Sequence, residues 1–437
     1  MEFAQRIINI GFPDHQNAFG NFKFQAIGQG TFRNKIFFQE ADQIFIPELP
    51  GRPPPIIATP ATVDLLGVML TDSAHIQQSE LKRPAKLYRK KEKIGPLYTQ
   101  KDVRECLSQA TTVEYDFQLK PHPFVQCRFR DAGHILGSAI IEVWITEGGS
   151  TKKLVFTGDL GQPGRPILRD PTPIDEADIL VMESTYGNRI HKDMLSMEED
   201  MIAIVEKTLF KRGGNVIIPA FAVGRTQQIL YHLHRLTCEG RLQQTNIFVD
   251  SPMATEATRI TREHIEIFDE QAKGLARWHA NSKDIPYLYF TATVEESKAL
   301  NRIHSGAIII SASGMCDAGR IRHHLLHNLP RRECSVLISG FQARGTLGRQ
   351  LEKGADKVRI LGKEVPVRAS IHSVEGLSAH ADQGALLKWA SLFHKAPHHT
   401  FVVHGEIEAA LPLAKALEQR YGWSTSIPEY GHAVTWA

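Results

Sequence analysis

The stretch Phe124 to Gly161, FVQCRFRDAGHILGSAIIEVWITEGGSTKKLVFTGDLG, decides the fold. Short runs rich in Val, Ile and Phe alternate with Gly turns, which predicts a β-meander or sandwich sheet. Two of the runs end in polar residues, at Gly133–His134 with Gly137–Ser138, and at Thr157–Gly158–Asp159–Leu160–Gly161. Strand ends are where α/β proteins place ligands.

Downstream, ADILVMESTYG is another strand with a polar end, Glu183–Ser184–Thr185–Tyr186–Gly187. The pattern then becomes strand–helix–strand. Ser196 and Glu199 read as a capping box for a helix carrying Ile202, Val205 and Leu209. NVIIPA (215–220), NIFVDSPM (246–253), AIIISASGM (307–315) and SVLISGFQ (335–342) read as buried strands, with a helix from Arg225 to Leu236. This alternation predicts parallel crossover units in a doubly wound sheet. After about residue 366 the β-rich pattern returns with VRASIHS, a helix from Asp382, TFVVHGE and a last helix.

Upstream, Thr59 with Pro60 behind it reads as a helix start, and Leu66, Met69 and Leu70 recur at helical spacing. The first fifty residues have a different composition, in which Phe is dense, Val is absent and no period is sustained. The whole predicts an α/β chain, with a β-rich domain interrupted by a Rossmann-like insert.

Composition narrows the function classes. With 42% hydrophobic and 23% charged residues in 437, the chain is globular rather than disordered, collagenous or coiled. It contains no apolar run of the roughly 18 residues a membrane helix needs, so no membrane is expected. A net charge of +3 does not by itself argue for nucleic acid. The five cysteines form no CxxC pair, which excludes a zinc finger and makes a reducing cytoplasm the expected compartment.

Histidine carries the chemistry. His134, Asp159 and Glu183 lie in strand-end clusters, joined by Val402–Val403–His404–Gly405–Glu406 and by Ser378–Ala379–His380–Ala381–Asp382 at a helix start. Imidazole nitrogens and carboxylates suit zinc. Each alone reads as an ordinary structural residue; their joint occurrence points to a site.

GHILGSA, TGDLG, ESTYG, SAHAD and VHGE, in that order, resemble the metallo-β-lactamase fold in its β-CASP branch of RNA-cleaving hydrolases. VDSPMA (249–254), SASGMCDAGRIRHHL (311–325) and GFQARGTLGRQL (340–351) are similar to that branch as well. The resemblance runs from about Gly51 to the C-terminus. It implies an αββα sandwich with an inserted β-CASP domain. The expected boundaries are a divergent segment at 1–50, the metallo-β-lactamase domain at 51–190, the β-CASP domain at 191–365 and a return at 366–437. It also implies two zinc ions bridged by Asp159, with His134 on one and His404 on the other. His380 would protonate the leaving ribose oxygen, oriented by Glu183. Ser313, Gly314 and Met315, in the loop before a helix start, would hold an RNA phosphate, with Arg320, Ser251 and Arg344 as looser backbone contacts or ordinary surface and turn residues. The expected partner is single-stranded RNA in a cleft between the domains, with a homodimer as a further expectation.

One family motif is absent. The His-x-His-x-Asp-His run expected shortly before Gly51 is not there, and Asp14–His15 has neither its spacing nor its context. Each metal then keeps two protein ligands where a catalytic zinc normally has three or more. Weak zinc binding and near-zero cleavage are expected of the chain as written. Two rivals remain open: an inert RNA-binding or scaffold relative, and a small-molecule ester or thioester hydrolase, against which the insert and the Glu183/His380 pair argue. Three further features bear on function. The basic run 82–93 with Tyr88 is an RNA track or a solvated loop. His323, His324 and His327 form a metal cluster or a structural face without a nearby carboxylate. Cys316 is a packing residue.

Overall fold

The computed structural model describes residues 8–10, 24–26, 45–47, 56–81, 96–270, 272–273, 287–374 and 376–429. The chain divides into two compact units: 1–163 with 170–190 and 380–437, and 164–169 with 191–379.

The first unit is built on a seven-stranded sheet. Its spatial order is Thr425–Ser426, His399–Val403, Ile179–Glu183, Ser150–Phe156, Ala139–Glu147, Val125–Asp131 and Gln118–His122. The four strands from 118 to 156 form the antiparallel meander predicted from the alternating runs. Ile179–Glu183 then inserts parallel to both of its neighbours. A second sheet pairs Ile56–Ala58 with Ala110–Thr112.

Alternation along these strands sorts the core into layers. Ile141, Val143, Cys127 and Phe129 pack with Ile57 between the two sheets. Ile140, one residue away, points oppositely and packs with Val155, Leu180 and Met182 against helices Gln383–Ala390 and Ile407–Tyr421. Ile56 likewise opposes Ile57 and meets Leu66, Leu70, Val103 and Cys106 of helices Pro60–Leu81 and Gln100–Ser108. The result is the αββα order. Phe129 is fully buried at its centre, and truncating such a residue to Ala costs about 3–5 kcal/mol.

The second unit holds a six-stranded sheet in the order Leu288–Phe290, Asn246–Val249, Ala307–Ser311, Val216–Pro219, Ser335–Ile338 and Ser370–Ser373. Every neighbouring pair is parallel. Its central strands are buried residue after residue, as expected when both faces are covered. This is the doubly wound sheet that the strand–helix alternation predicts.

Local details agree in part. Thr59 caps its helix, accepting from the Thr62 N–H at 3.3 Å. Asp382 caps Gln383–Ala390, accepting from the Ala385 N–H at 2.8 Å. Two expectations are corrected. The helix Met194–Glu206 begins earlier than Ser196: Asp193 is its cap and accepts from the Ser196 N–H at 3.0 Å. A Ser-x-x-Glu pattern one turn inside a helix looks the same in sequence as one at its start. Ser370–Ser373, read as part of the returning domain, instead hydrogen-bonds to Ser335–Ile338 in the parallel sheet. Its short β run has the same composition in either setting. Asp14–His15 and the basic run 82–93 lie outside the described residues. Among those described, no helix is long and apolar enough to cross a membrane.

Candidate metal centre

Five polar side chains from four strand ends and one helix start meet in the first unit. Asp159 follows Ser150–Phe156, Glu183 ends Ile179–Glu183 and His404 follows His399–Val403. His134 lies in the turn between Val125–Asp131 and Ala139–Glu147, and His380 precedes Gln383–Ala390. Donor atoms of Asp159, Glu183, His380 and His404 all lie within 4.8 Å of one another.

Glycines permit this crowding. A Cβ on Gly161 would stand 1.9 Å from the Gly133 carbonyl oxygen, so only hydrogen fits there. The contact presses the Asp159 turn against the His134 turn, and the Gly161 N–H donates to the Ala132 carbonyl at 2.8 Å. Likewise a Cβ on Gly405 would stand 2.4 Å from Ser184 Oγ, which locks the ends of two neighbouring strands together. His404 itself has φ +53, a left-handed backbone that a non-glycine residue adopts only where its surroundings enforce it. Ser138 Oγ accepts from the His134 N–H at 3.1 Å and fixes the third turn.

Asp159 presents each carboxylate oxygen to a different imidazole. Oδ1 is 2.5 Å from His404 Nδ1, and Oδ2 is 4.0 Å from His134 Nε2. Desolvation raises the Asp159 carboxyl, but His404, His380 and His134 outweigh it and hold the group well below the usual carboxylate range. It is therefore an anion at neutral pH. Glu183 behaves oppositely. Burial, then repulsion from Asp159, pushes it up to about 7. It accepts from the Leu160 N–H at 2.6 Å and lies 3.2 Å from His380 Nδ1. Two neighbouring carboxyls driven in opposite directions have the kind of separation that acid–base chemistry uses.

The donor set fits zinc in kind. It consists of nitrogen and oxygen atoms, and a carboxylate facing two imidazoles is arranged as a bridging ligand. Thr185 and Thr157 also bond to residues of this cluster, and motif reading did not single them out. Thr185 Oγ1 lies 3.3 Å from His404 Nδ1 and donates to the His404 carbonyl at 3.0 Å. Thr157 Oγ1 accepts from the Glu183 N–H at 3.2 Å. Both stand inside the TGDLG and ESTYG motifs, where only the ionisable members drew attention.

The residues expected to contact RNA all lie in the second unit. Ser251 Oγ caps the helix Pro252–Glu263, accepting from the Ala254 N–H at 3.2 Å. Ser313 Oγ accepts from the Ala318 N–H at 3.4 Å, and Gly314 sits under the Phe221 ring. Met315 is half-buried and Arg344 exposed. Arg320 Nη1 donates to Asp250 Oδ1 at 2.7 Å. Cys316 is fully buried and burial pushes its thiol up, in keeping with a packing role. The histidine face is corrected: a carboxylate is present. His324 is fully buried with Nε2 2.6 Å from Asp250 Oδ2. Asp250 lies in the VDSPMA segment, but nothing local in sequence connects it to His324.

Comparison with known proteins agrees with this geometry. Residues 226–351 match the family described as Beta-Casp domain. Residues 364–428 match the Zn-dependent metallo-hydrolase RNA specificity domain. The chain is 34% identical over 380 residues to ribonuclease TTHA0252 of Thermus thermophilus, covering 87% of this chain and 81% of that protein. It is 30% identical to an RNase J-like protein of Methanocaldococcus jannaschii, covering 76% of each. It is also 30% identical to transcription termination factor FttA of Pyrococcus abyssi, over 86% of this chain but only 56% of that longer protein. Motif order, an aspartate between two histidines beside a Glu–His pair, and a third-identical ribonuclease converge: the chain belongs to the β-CASP family of metallo-β-lactamase-fold RNA hydrolases.

Proposed function

We propose that this protein hydrolyses phosphodiester bonds of single-stranded RNA, with zinc held by His134, Asp159 and His404. The observation that carries the reading is Asp159 standing between His134 and His404 beside the Glu183–His380 pair. Bound zinc supplies Lewis acidity and a hydroxide at neutral pH. The chain's own groups do the rest. Glu183 fixes the His380 ring through Nδ1, leaving the other ring nitrogen to hand a proton to the departing ribose oxygen. The relatives named ribonuclease and the RNA specificity match support RNA as substrate.

Two imidazoles and one carboxylate are a short ligand set for a pair of metals. Zinc binding is accordingly weak, and cleavage slow unless zinc is added. Free thiols at all five cysteines suit a cytoplasmic protein. The expected domain division, a β-CASP insert between two parts of a metallo-β-lactamase domain, remains part of the proposal, as does a homodimer.

The test is cleavage of an end-labelled RNA oligonucleotide with added zinc, alongside Asp159→Asn and His380→Ala. Zinc-dependent cleavage lost in both variants supports the reading. Cleavage indifferent to chelator and to both substitutions sinks it. RNA binding in chelator with no cleavage at any zinc concentration favours the inert relative instead.

A further inference from the structure

Asp250 follows the strand Asn246–Val249 and is completely buried. Four side chains surround its carboxylate. His324 Nε2 is at 2.6 Å, Arg320 Nη1 at 2.7 Å and Ser297 Oγ at 2.6 Å, and the Thr291 hydroxyl also bonds to it. These residues come from separate segments, so one carboxylate ties together 291–297, 320 and 324. Desolvation raises the Asp250 carboxyl, but the hydrogen bonds from His324, Ser297, Thr291 and Arg320 win and hold it well below its usual range.

Stability alone does not call for this network. A buried ion pair is commonly matched or bettered by apolar residues of similar volume. What such a network does well is fix geometry. Its visible beneficiary is Arg320. Nη1 is held by Asp250 and Thr291 (2.7 and 3.4 Å), and Nη2 by the Ala292 carbonyl at 3.3 Å. That engages at most three of the five guanidinium donors. The side chain keeps 22% of its surface exposed. It contacts residues just beyond the C-terminal ends of the parallel strands Asn246–Val249 and Leu288–Phe290, the side of such sheets that takes ligands, and follows the Ser313–Met315 loop in the chain. A guanidinium fixed on one side and open on the other is suited to a phosphate.

We infer that Asp250 is a positioning residue for RNA binding: it orients Arg320 as a phosphate contact in the second unit. The inference rests on the RNA reading above but not on zinc or cleavage. A fluorescent single-stranded RNA is titrated in chelator over a series of salt concentrations. Arg320→Gln is expected to flatten the plot of log affinity against log salt by about 0.7, the value of one single-strand phosphate contact. Asp250→Asn, which keeps Arg320, is expected to flatten it equally, and the double variant no further. A folded Asp250→Asn protein with lowered melting temperature and an unchanged slope overturns the inference, because a purely structural residue behaves that way. Should Asp250→Asn fail to fold, Thr291→Val removes one partner from both groups and is expected to weaken binding about two- to tenfold. Unchanged binding by folded Thr291→Val also overturns it. Wild-type protein that does not bind RNA overturns both this inference and the RNA reading; binding with an unaltered slope in the variants overturns this one alone.

Discussion

His404 Nδ1 lies 2.5 Å from Asp159 Oδ1, although most of the second unit's sequence, 191–379, separates the two residues along the chain. The sheet makes the contact possible. Ile179–Glu183 pairs in parallel with both His399–Val403 and Ser150–Phe156, so the three strands end on the same side. Their C-terminal residues, Glu183, His404 and Asp159, become neighbours.

In the proposed site, zinc affinity is expected to depend on Asp159. Zinc raises stability in proportion to the logarithm of its concentration over Kd, by about 1.4 kcal/mol near ten times Kd. Wild-type protein stripped with chelator is expected to gain melting temperature as zinc is returned at millimolar levels. Asp159→Asn should show no gain. Elemental analysis of the wild type should find less than two zinc ions per chain after dialysis, and two retained ions would contradict the short ligand set.

His380 separates chemistry from metal binding. Its Nδ1 is committed to Glu183, and the His134 ring packs 4.2 Å away. His380→Ala is expected to lower zinc-supported cleavage by about 10²- to 10⁴-fold, the usual contribution of a proton donor. Zinc-induced stabilisation should persist in that variant. Loss of both together would make His380 a ligand rather than an acid.

Much of this site is legible in sequence, because glycine-flanked His, Asp and Glu at strand ends keep the motif order of the fold. His134, Asp159, Glu183, His380 and His404 lie near one another in the first unit. What sequence does not show is pairing over distance. His323–His324–His327 reads as a face with no acid, yet Asp250 fills that role from another strand. The start of the helix Met194–Glu206 is missed because two capping patterns overlap there. Ser370–Ser373 is assigned to the wrong unit because a short β run carries no mark of its partner.

Asp250 also sets an acid-stability signature. Its carboxyl in the folded protein lies below the unfolded value of 3.8. A depressed carboxylate contributes stability that is present above the unfolded value and lost as pH falls through the folded one. Asp250→Asn is expected to melt well below wild type at pH 7. The gap should narrow steadily as pH drops below about 4, where the carboxyl of the unfolded chain takes up a proton and the folded, depressed one does not. Thermal melts from pH 7 to 2.5 measure it, and a gap that stays constant across that range would argue against an ionised Asp250.

Gly161 offers the sharpest test of how the site is assembled. Its N–H reaches the Ala132 carbonyl, and its α-carbon lies against the Gly133 backbone with no room for a methyl group. The neighbour is backbone rather than a flexible side chain, so rotation cannot relieve the clash. Gly161→Ala must separate the turn carrying Asp159 from the turn carrying His134. Overpacking of this kind costs about 1–3 kcal/mol or more. The expected variant is less stable and also loses its zinc-induced rise in melting temperature, because the bridging carboxylate moves away from one imidazole. Gly164, whose Cβ would meet nothing within 4 Å, is the control. Gly164→Ala carries the strain of φ +72 but leaves the two turns in contact, so zinc should still stabilise it. Equal zinc responses in the two variants would mean that the Gly161–Gly133 contact does not set the metal centre.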